Sequence, residues 1–242
     1  MQYPKGTIKE YSFHSSELQE TMQLLIYLPA NFSPLYKYSL LIAQDGRDYF
    51  QLGRIGRLAD ELLFNQEIEN LIIVGVPYKN VQDRRRKYQP DGVQNRQYIR
   101  FLAHELVPFL DREFPTYQMG STRALIGDSL GATVSLMTAF HYPHSFGKVL
   151  LQSPYVDEQV LHLVENFKDG QLLEIYHVIG TQETEVPTTD GKVKDFLSPN
   201  RLLAKTIKTK PITYFYEEFS GTHTWTYWQP DLKRALKKIF KV

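Results

Sequence analysis

The stretch Ala124-Leu125-Ile126-Gly127-Asp128-Ser129-Leu130-Gly131-Ala132 decides how the rest of the chain is read. A short apolar run, Ala124–Gly127, leads into a G-x-S-x-G motif, and a helical run, Leu130–His141, follows directly. Strand, turn and helix in that order make the motif informative, because a tight elbow between two such elements forces strained backbone angles on its serine. Glycines must flank the turn, since a side chain there would collide with the neighbouring strand or helix. Ser129 Oγ is thereby held clear of the sheet, above a helix N-terminus that favours negative charge. The plainer alternative is a glycine-flanked turn whose serine only caps the helix.

Further short apolar runs lie on either side of this elbow, at Leu40–Ala43, Leu71–Val76, Lys148–Gln152, Leu173–Ile179 and Ile212–Tyr216. They are continuous rather than alternating, which predicts strands covered on both faces, as in a parallel sheet. Helical stripes lie between them: Ile55, Leu58, Leu62 and Leu63; then Ile99, Leu102, Leu106 with Val107, and Leu110; and finally Leu232, Ala235, Leu236 and Ile239. Right-handed crossovers wrap such helices over both faces of one twisted sheet. Upstream, Thr7–Phe13 and Thr21–Leu28 flank the polar His14–Glu20 and read as an antiparallel opening pair. The expectation is a single α/β domain over residues 1–242: a mostly parallel twisted sheet with an antiparallel N-terminal pair and helices on both faces. Between Ser153-Pro154 and Leu172 there is room for one helix, buried through Val156, Val160, Leu163 and Val164, so no large lid domain is expected. Pro77–Asn95 and Thr181–Ser198 read as two long loops leaving the C-terminal edge of the sheet, where α/β folds keep their sites.

Composition narrows the chemistry. Lys and Arg number 28 against 27 Asp and Glu, a net +1, so the basic excess that phosphate backbones demand is missing and no nucleic acid partner is expected. Cysteine is absent, which removes disulfides, thiolate metal sites and cysteine nucleophiles. Residues Met1–Glu10 hold no apolar signal core and no stretch is long enough to span a membrane, so the reading is cytoplasmic with no membrane contact. His141-x-x-His144 has no third ligand nearby, and neither a metal nor any other cofactor is expected.

A serine hydroxyl needs a base to take its proton. Four of the seven histidines follow Ser129 at useful distance: His144, His162, His177 and His223. His223 alone lies in a loop after the last strand, within Ser220-Gly221-Thr222-His223-Thr224-Trp225, and the order nucleophile, acid, histidine favours it. The acid should follow the preceding strand, where Glu183 is the first carboxylate; Glu185, Asp190 and Asp195 stay open as rivals.

These residues carry a resemblance to the Putative esterase family of α/β-hydrolases, which includes esterase D, enterochelin-type siderophore esterases and feruloyl esterases. Leu40-Leu41-Ile42-Ala43-Gln44-Asp45-Gly46 resembles the family's strand ending in Asp-Gly, and Phe101–Pro115 resembles its helix before the nucleophile strand. Phe146-Gly147, Ser153-Pro154 and Gly221-x-His223-x-Trp225-x-x-Trp228 match further motifs, so the likeness runs from about Tyr27 to the C-terminus. The resemblance implies an α/β-hydrolase fold and oxyanion-hole amides from Arg47 and Leu130. This chain departs from the pattern at Ala132 for a second glycine, at Gly-Thr-His for Gly-Gly-His, and at Glu183 for an aspartate.

The resulting expectation is a serine carboxylesterase acting on a small-molecule ester through Ser129, His223 and Glu183. An acyltransferase with the same residues and a non-catalytic ligand-binding protein on this scaffold are the alternatives. Arg84-Arg85-Arg86-Lys87 reads either as a solvated loop or, through Arg84, as a collector of anionic substrate, with Tyr88 and Trp225 as aromatic walls. Basic and aromatic groups together would suit short-acyl esters with planar or anionic parts, as in siderophores.

Overall fold

The computed structural model describes residues 3–242. Two N-terminal strands, β1 (Thr7–Ser15) and β2 (Glu20–Leu28), pair antiparallel. There follow β3 (Ser39–Gln44), α1 (Gly46–Gln51), α2 (Ile55–Phe64), β4 (Leu71–Val76), α3 (Val81–Tyr88), α4 (Asn95–Arg100) and α5 (Val107–Glu113), with a π turn over Phe101–Leu106 between the last two. The C-terminal half runs β5 (Arg123–Asp128), α6 (Leu130–His141), β6 (Lys148–Gln152), α7 (Glu158–Glu165), β7 (Glu174–Gly180), β8 (Val186–Pro187), β9 (Val193–Lys194), α8 (Leu197–Ile207), β10 (Thr213–Phe219) and α9 (Trp225–Ile239). Eight strands form one sheet in the order β1-β2-β4-β3-β5-β6-β7-β10. β2 meets β4 antiparallel, and every later neighbour pair is parallel.

The sheet separates two cores, and the two-residue alternation of strand side chains divides each strand between them. On β3, Leu40 and Ile42 enter one core while Leu41 and Ala43 enter the other. Stripes on α2 and α9 close the second core through Ile55, Ala59, Leu62, Leu232, Ala235, Leu236 and Ile239. The first core lies under α6, whose residues Leu130–Phe140 are buried on every side. Burying that much apolar surface, at about 25 cal/mol per Å², is what holds the elbow's helix against its strand. A single helix, α7, and a short 3₁₀ turn occupy the interval between Ser153 and Leu173. No helix among the described residues is long and apolar enough to cross a membrane.

The two long connections differ from their reading as loops. Pro77–Asn95 contains α3, started by Asn80, whose side chain accepts the Asp83 amide proton at 2.9 Å. Its buried residues are Asp83, Lys87 and Tyr88, so no apolar stripe marks it as a helix. Lys87 is not a solvated charge either; it is paired with Asp83 at 2.8 Å and with Glu20. Thr181–Ser198 folds into the β8–β9 ribbon, which turns at Gly191 (φ 78°), and then enters α8.

Candidate active site

Three neighbouring strands end on non-glycine residues of positive φ: Asp45 after β3 (52°), Ser129 after β5 (52°) and Ser153 after β6 (51°). Backbone strain of this kind persists only where surrounding structure over-determines it, and three of the seven such residues among the described ones stand at this one sheet edge. At the elbow, a Cβ on Gly127 would lie 2.1 Å from the Gly131 carbonyl carbon, and one on Gly131 would lie 2.9 Å from Asp45 Oδ2. Glycine is therefore required at 127 by a backbone wall and favoured at 131 by a side chain. Ser129 N donates to Gln152 O at 2.9 Å, tying the strained residue to β6.

Ser129 and His223 line the same cavity, of about 280 Å³. The His223 ring is held between Phe196 and Trp228, at centroid distances of 4.5 and 4.8 Å. Its Nδ1 lies 2.6 Å from Glu183 Oε2. Glu183 is fully buried, and its other oxygen accepts from Gly180 N at 2.9 Å and from Ser153 Oγ at 2.7 Å. Ser153 Oγ in turn accepts from Trp228 Nε1 at 3.0 Å. A continuous chain of donors thus fixes the carboxylate and, through it, the imidazole. Glu185 and Asp195 are exposed, and Asp190 accepts from Thr188 Oγ1 and Lys192 N; among the described residues none of the three is hydrogen-bonded to His223. No hydrogen bond joins Ser129 Oγ to His223 among the described residues, and catalytic hydrogen bonds of this type commonly tighten only around substrate.

The Leu130 amide opens α6 and the Arg47 amide lies in the first turn of α1, positions where a helix supplies no acceptor to its N–H groups. The turn carrying Arg47 is fixed from beneath. Arg84 grips Asp45 with two bonds, Nε to Oδ1 at 2.8 Å and Nη2 to Oδ2 at 2.7 Å, and reaches Asp128 O at 3.3 Å. Tyr88 OH accepts the Asp45 amide proton at 3.3 Å.

Three expectations for the substrate wall are corrected by these contacts. Arg84 lines the cavity, but its guanidinium is engaged by Asp45 rather than offered to an anion. Tyr88 is 1% exposed and lies under Arg84, at 5.5 Å from ring centroid to guanidinium, instead of on the rim. Trp225 packs edge-on against Tyr49 and Trp228, and it is Trp228 that lines the cavity. His177 is buried between Tyr214 OH and Asn200 Oδ1, each at 2.8 Å, and burial pushes its pKa down to about 4. It is a neutral core histidine.

Two features escaped sequence reasoning. Ser153 was visible only as part of a Ser-Pro pair, since nothing local announces a donor to a carboxylate thirty residues away. Asp128 occupies the variable position of the motif, and only the fold shows that Asp45 and Asp48 crowd it. Burial first, then Asp45, raise the Asp128 carboxyl to about 8.

A mostly parallel sheet with helices on both faces and a strained serine elbow at its C-terminal edge defines an α/β-hydrolase fold. Residues 15–239 match the family model Esterase, described as Putative esterase. The chain belongs to that family and is a carboxylic ester hydrolase. It is 58% identical over 234 residues to "Uncharacterized protein YjcH" of Bacillus subtilis, covering 97% of this chain and 98% of that protein. Its fold is like that of a ferulic acid esterase, with TM-score 0.80, 15% identity and 98% of each chain covered. It is also like the enterobactin esterase FES of Shigella flexneri, with TM-score 0.84 and 18% identity, covering 98% of this chain and 60% of that one.

Proposed function

We propose that the chain is a serine carboxylesterase of short-acyl esters, with Ser129 as nucleophile, His223 as base and Glu183 as the acid that orients it. The observation that carries this reading is the buried Glu183 carboxylate. One oxygen is fixed by Gly180 and Ser153, and the other is 2.6 Å from His223 Nδ1, in the cavity wall that also holds the elbow serine. With Nδ1 engaged, Nε2 is the ring nitrogen left to take the Ser129 proton as Oγ attacks the ester carbonyl. Charge developing on the carbonyl oxygen would be met by the Leu130 and Arg47 amides, and each such donor contributes about 3–4 kcal/mol to the transition state. The imidazolium returns its proton to the leaving alcohol, and water, activated by the same nitrogen, releases the acid.

Arg84 and Tyr88 support this reading as positioning residues: they hold Asp45 and thereby the turn that bears the Arg47 amide. A cavity of about 280 Å³ lies at the lower end of ligand sites, which favours short acyl groups.

A fluorophosphonate probe followed by peptide mapping tests the assignment. The expected result is label on Ser129, lost in Ser129→Ala, with kcat for p-nitrophenyl acetate lowered on the order of 10⁴–10⁶-fold. A folded Ser129→Ala enzyme that keeps the wild-type rate would refute it.

A further inference from the structure

Four carboxylates line the cavity, Asp45, Asp48, Asp128 and Asp190, against two permanent cations, Arg84 and Lys194. The cations are already matched. Arg84 is bidentate on Asp45, and Lys194 Nζ lies 3.9 Å from Asp190 and 3.1 Å from Tyr155 OH. Asp48 and Asp128 are left over. Asp48 is half-buried and, among the described residues, its carboxyl receives only the Tyr78 hydroxyl, at 3.3 Å. Asp128 is 7% exposed, and one of its carboxyl oxygens, Oδ1, is wholly buried without a partner among the described residues.

A buried carboxyl group with an unmet acceptor is costly, and an apolar residue at the same position of the elbow would remove that cost. Crowding adds to it. Burial and the Asp45 charge raise the pKa values of both Asp128 and Asp48, a negative potential that Arg84 offsets only in part and that a further cation would meet, returning both groups to the carboxylate form. Asp128 directly precedes the nucleophile in the chain, so whatever meets this potential lies close to the reacting carbonyl. The lining also includes Val186, Phe196 and Trp228, apolar surface that suits the uncharged remainder of an ester.

We propose that the ester processed at Ser129 carries a protonated amine near its reacting carbonyl, held by the carboxylates of Asp128 and Asp48. The inference rests on the esterase reading and adds a substrate class to it. It reverses the expectation that this site gathers anions, because the Arg84 charge on which that expectation stood is neutralised within the protein.

Two isosteric pairs test the proposal and separate the two places where the amine can sit. For the alcohol side, 2-(dimethylamino)ethyl acetate is compared with 3-methylbutyl acetate. For the acyl side, ethyl 3-(dimethylamino)propanoate is compared with ethyl 4-methylpentanoate. In one pair the cationic ester should lead in kcat/KM on the order of 10- to 100-fold, the span of one charge-assisted hydrogen bond. That ratio should collapse towards unity in Asp128→Asn. Asp48→Asn should reduce it too, and serves as the readout if Asp128→Asn does not fold. Wild-type enzyme that turns over the neutral esters without favouring either cation overturns the amine subsite and leaves the esterase reading standing. Retention of the ratio in both variants overturns the subsite as well. Turnover of none of the four esters overturns the subsite, and if fluorophosphonate also fails to label the protein, the esterase reading falls with it.

Discussion

Replacing Glu183 by glutamine isolates the geometry around the imidazole. The variant side chain has the same shape, but one oxygen becomes an NH₂ group. At the Oε1 position the Gly180 N–H points in from 2.9 Å and can only donate. An NH₂ there would meet donor with donor, so the amide must turn its oxygen towards Gly180 and Ser153. Its NH₂ then faces His223 Nδ1, which must accept, and the ring proton moves to Nε2. In that tautomer the nitrogen beside Ser129 is already protonated and cannot act as a base. The expected loss in kcat is about 10⁴-fold, or about 5 kcal/mol of transition-state stabilisation. The fold should survive, because both Gly180 and Ser153 keep an acceptor. The assay is steady-state hydrolysis of p-nitrophenyl acetate alongside a thermal melt. A folded Glu183→Gln enzyme within tenfold of wild type would refute the argument and reopen the role for Glu185, Asp190 or Asp195.

Ser153→Ala removes one of the two donors to Glu183 Oε1 and leaves the buried Trp228 Nε1–H without its acceptor. The expected outcome is a loss of about 1–3 kcal/mol in stability by urea denaturation. The fall in kcat should be well short of that in Glu183→Gln, because the Gly180 bond remains. His177 titrates near 4 in the native state and near 6.5 when unfolded, so between those values the unfolded chain binds a proton that the native protein does not. Stability should therefore decline as pH falls through that window, by about 3 kcal/mol from this group, and His177→Gln should flatten the decline in urea midpoints. Across p-nitrophenyl esters from acetate to palmitate, kcat/KM should peak at the short end, because a cavity of about 280 Å³ cannot enclose a long chain. A maximum at palmitate would overturn the short-acyl reading.

Local patterns were enough to read the fold class, the strands and the elbow, because each rests on short-range physics. Continuous apolar runs announce doubly covered strands, 3.6-residue stripes announce α2 and α9, and Gly127 and Gly131 announce a close crossing of strand and helix. Helix α3 stayed hidden for a physical reason. Its buried face is made of Asp83, Lys87 and Tyr88, and the Lys87 charge is buried with the help of Glu20, a partner distant in sequence, as well as its neighbour Asp83. The same separation hid the roles of Arg84 and Tyr88: an arginine run looks solvated until the chain folds Asp45 onto it. Chain order alone left four carboxylates as candidates to orient His223, because a loop that leaves a strand end can deliver any of them. Only the tertiary structure shows one of them buried, gripped by Gly180 and Ser153 and turned towards the imidazole, since hydrogen bonds between β6, β7 and the loop before α9 depend on their positions in space and not on their spacing along the chain.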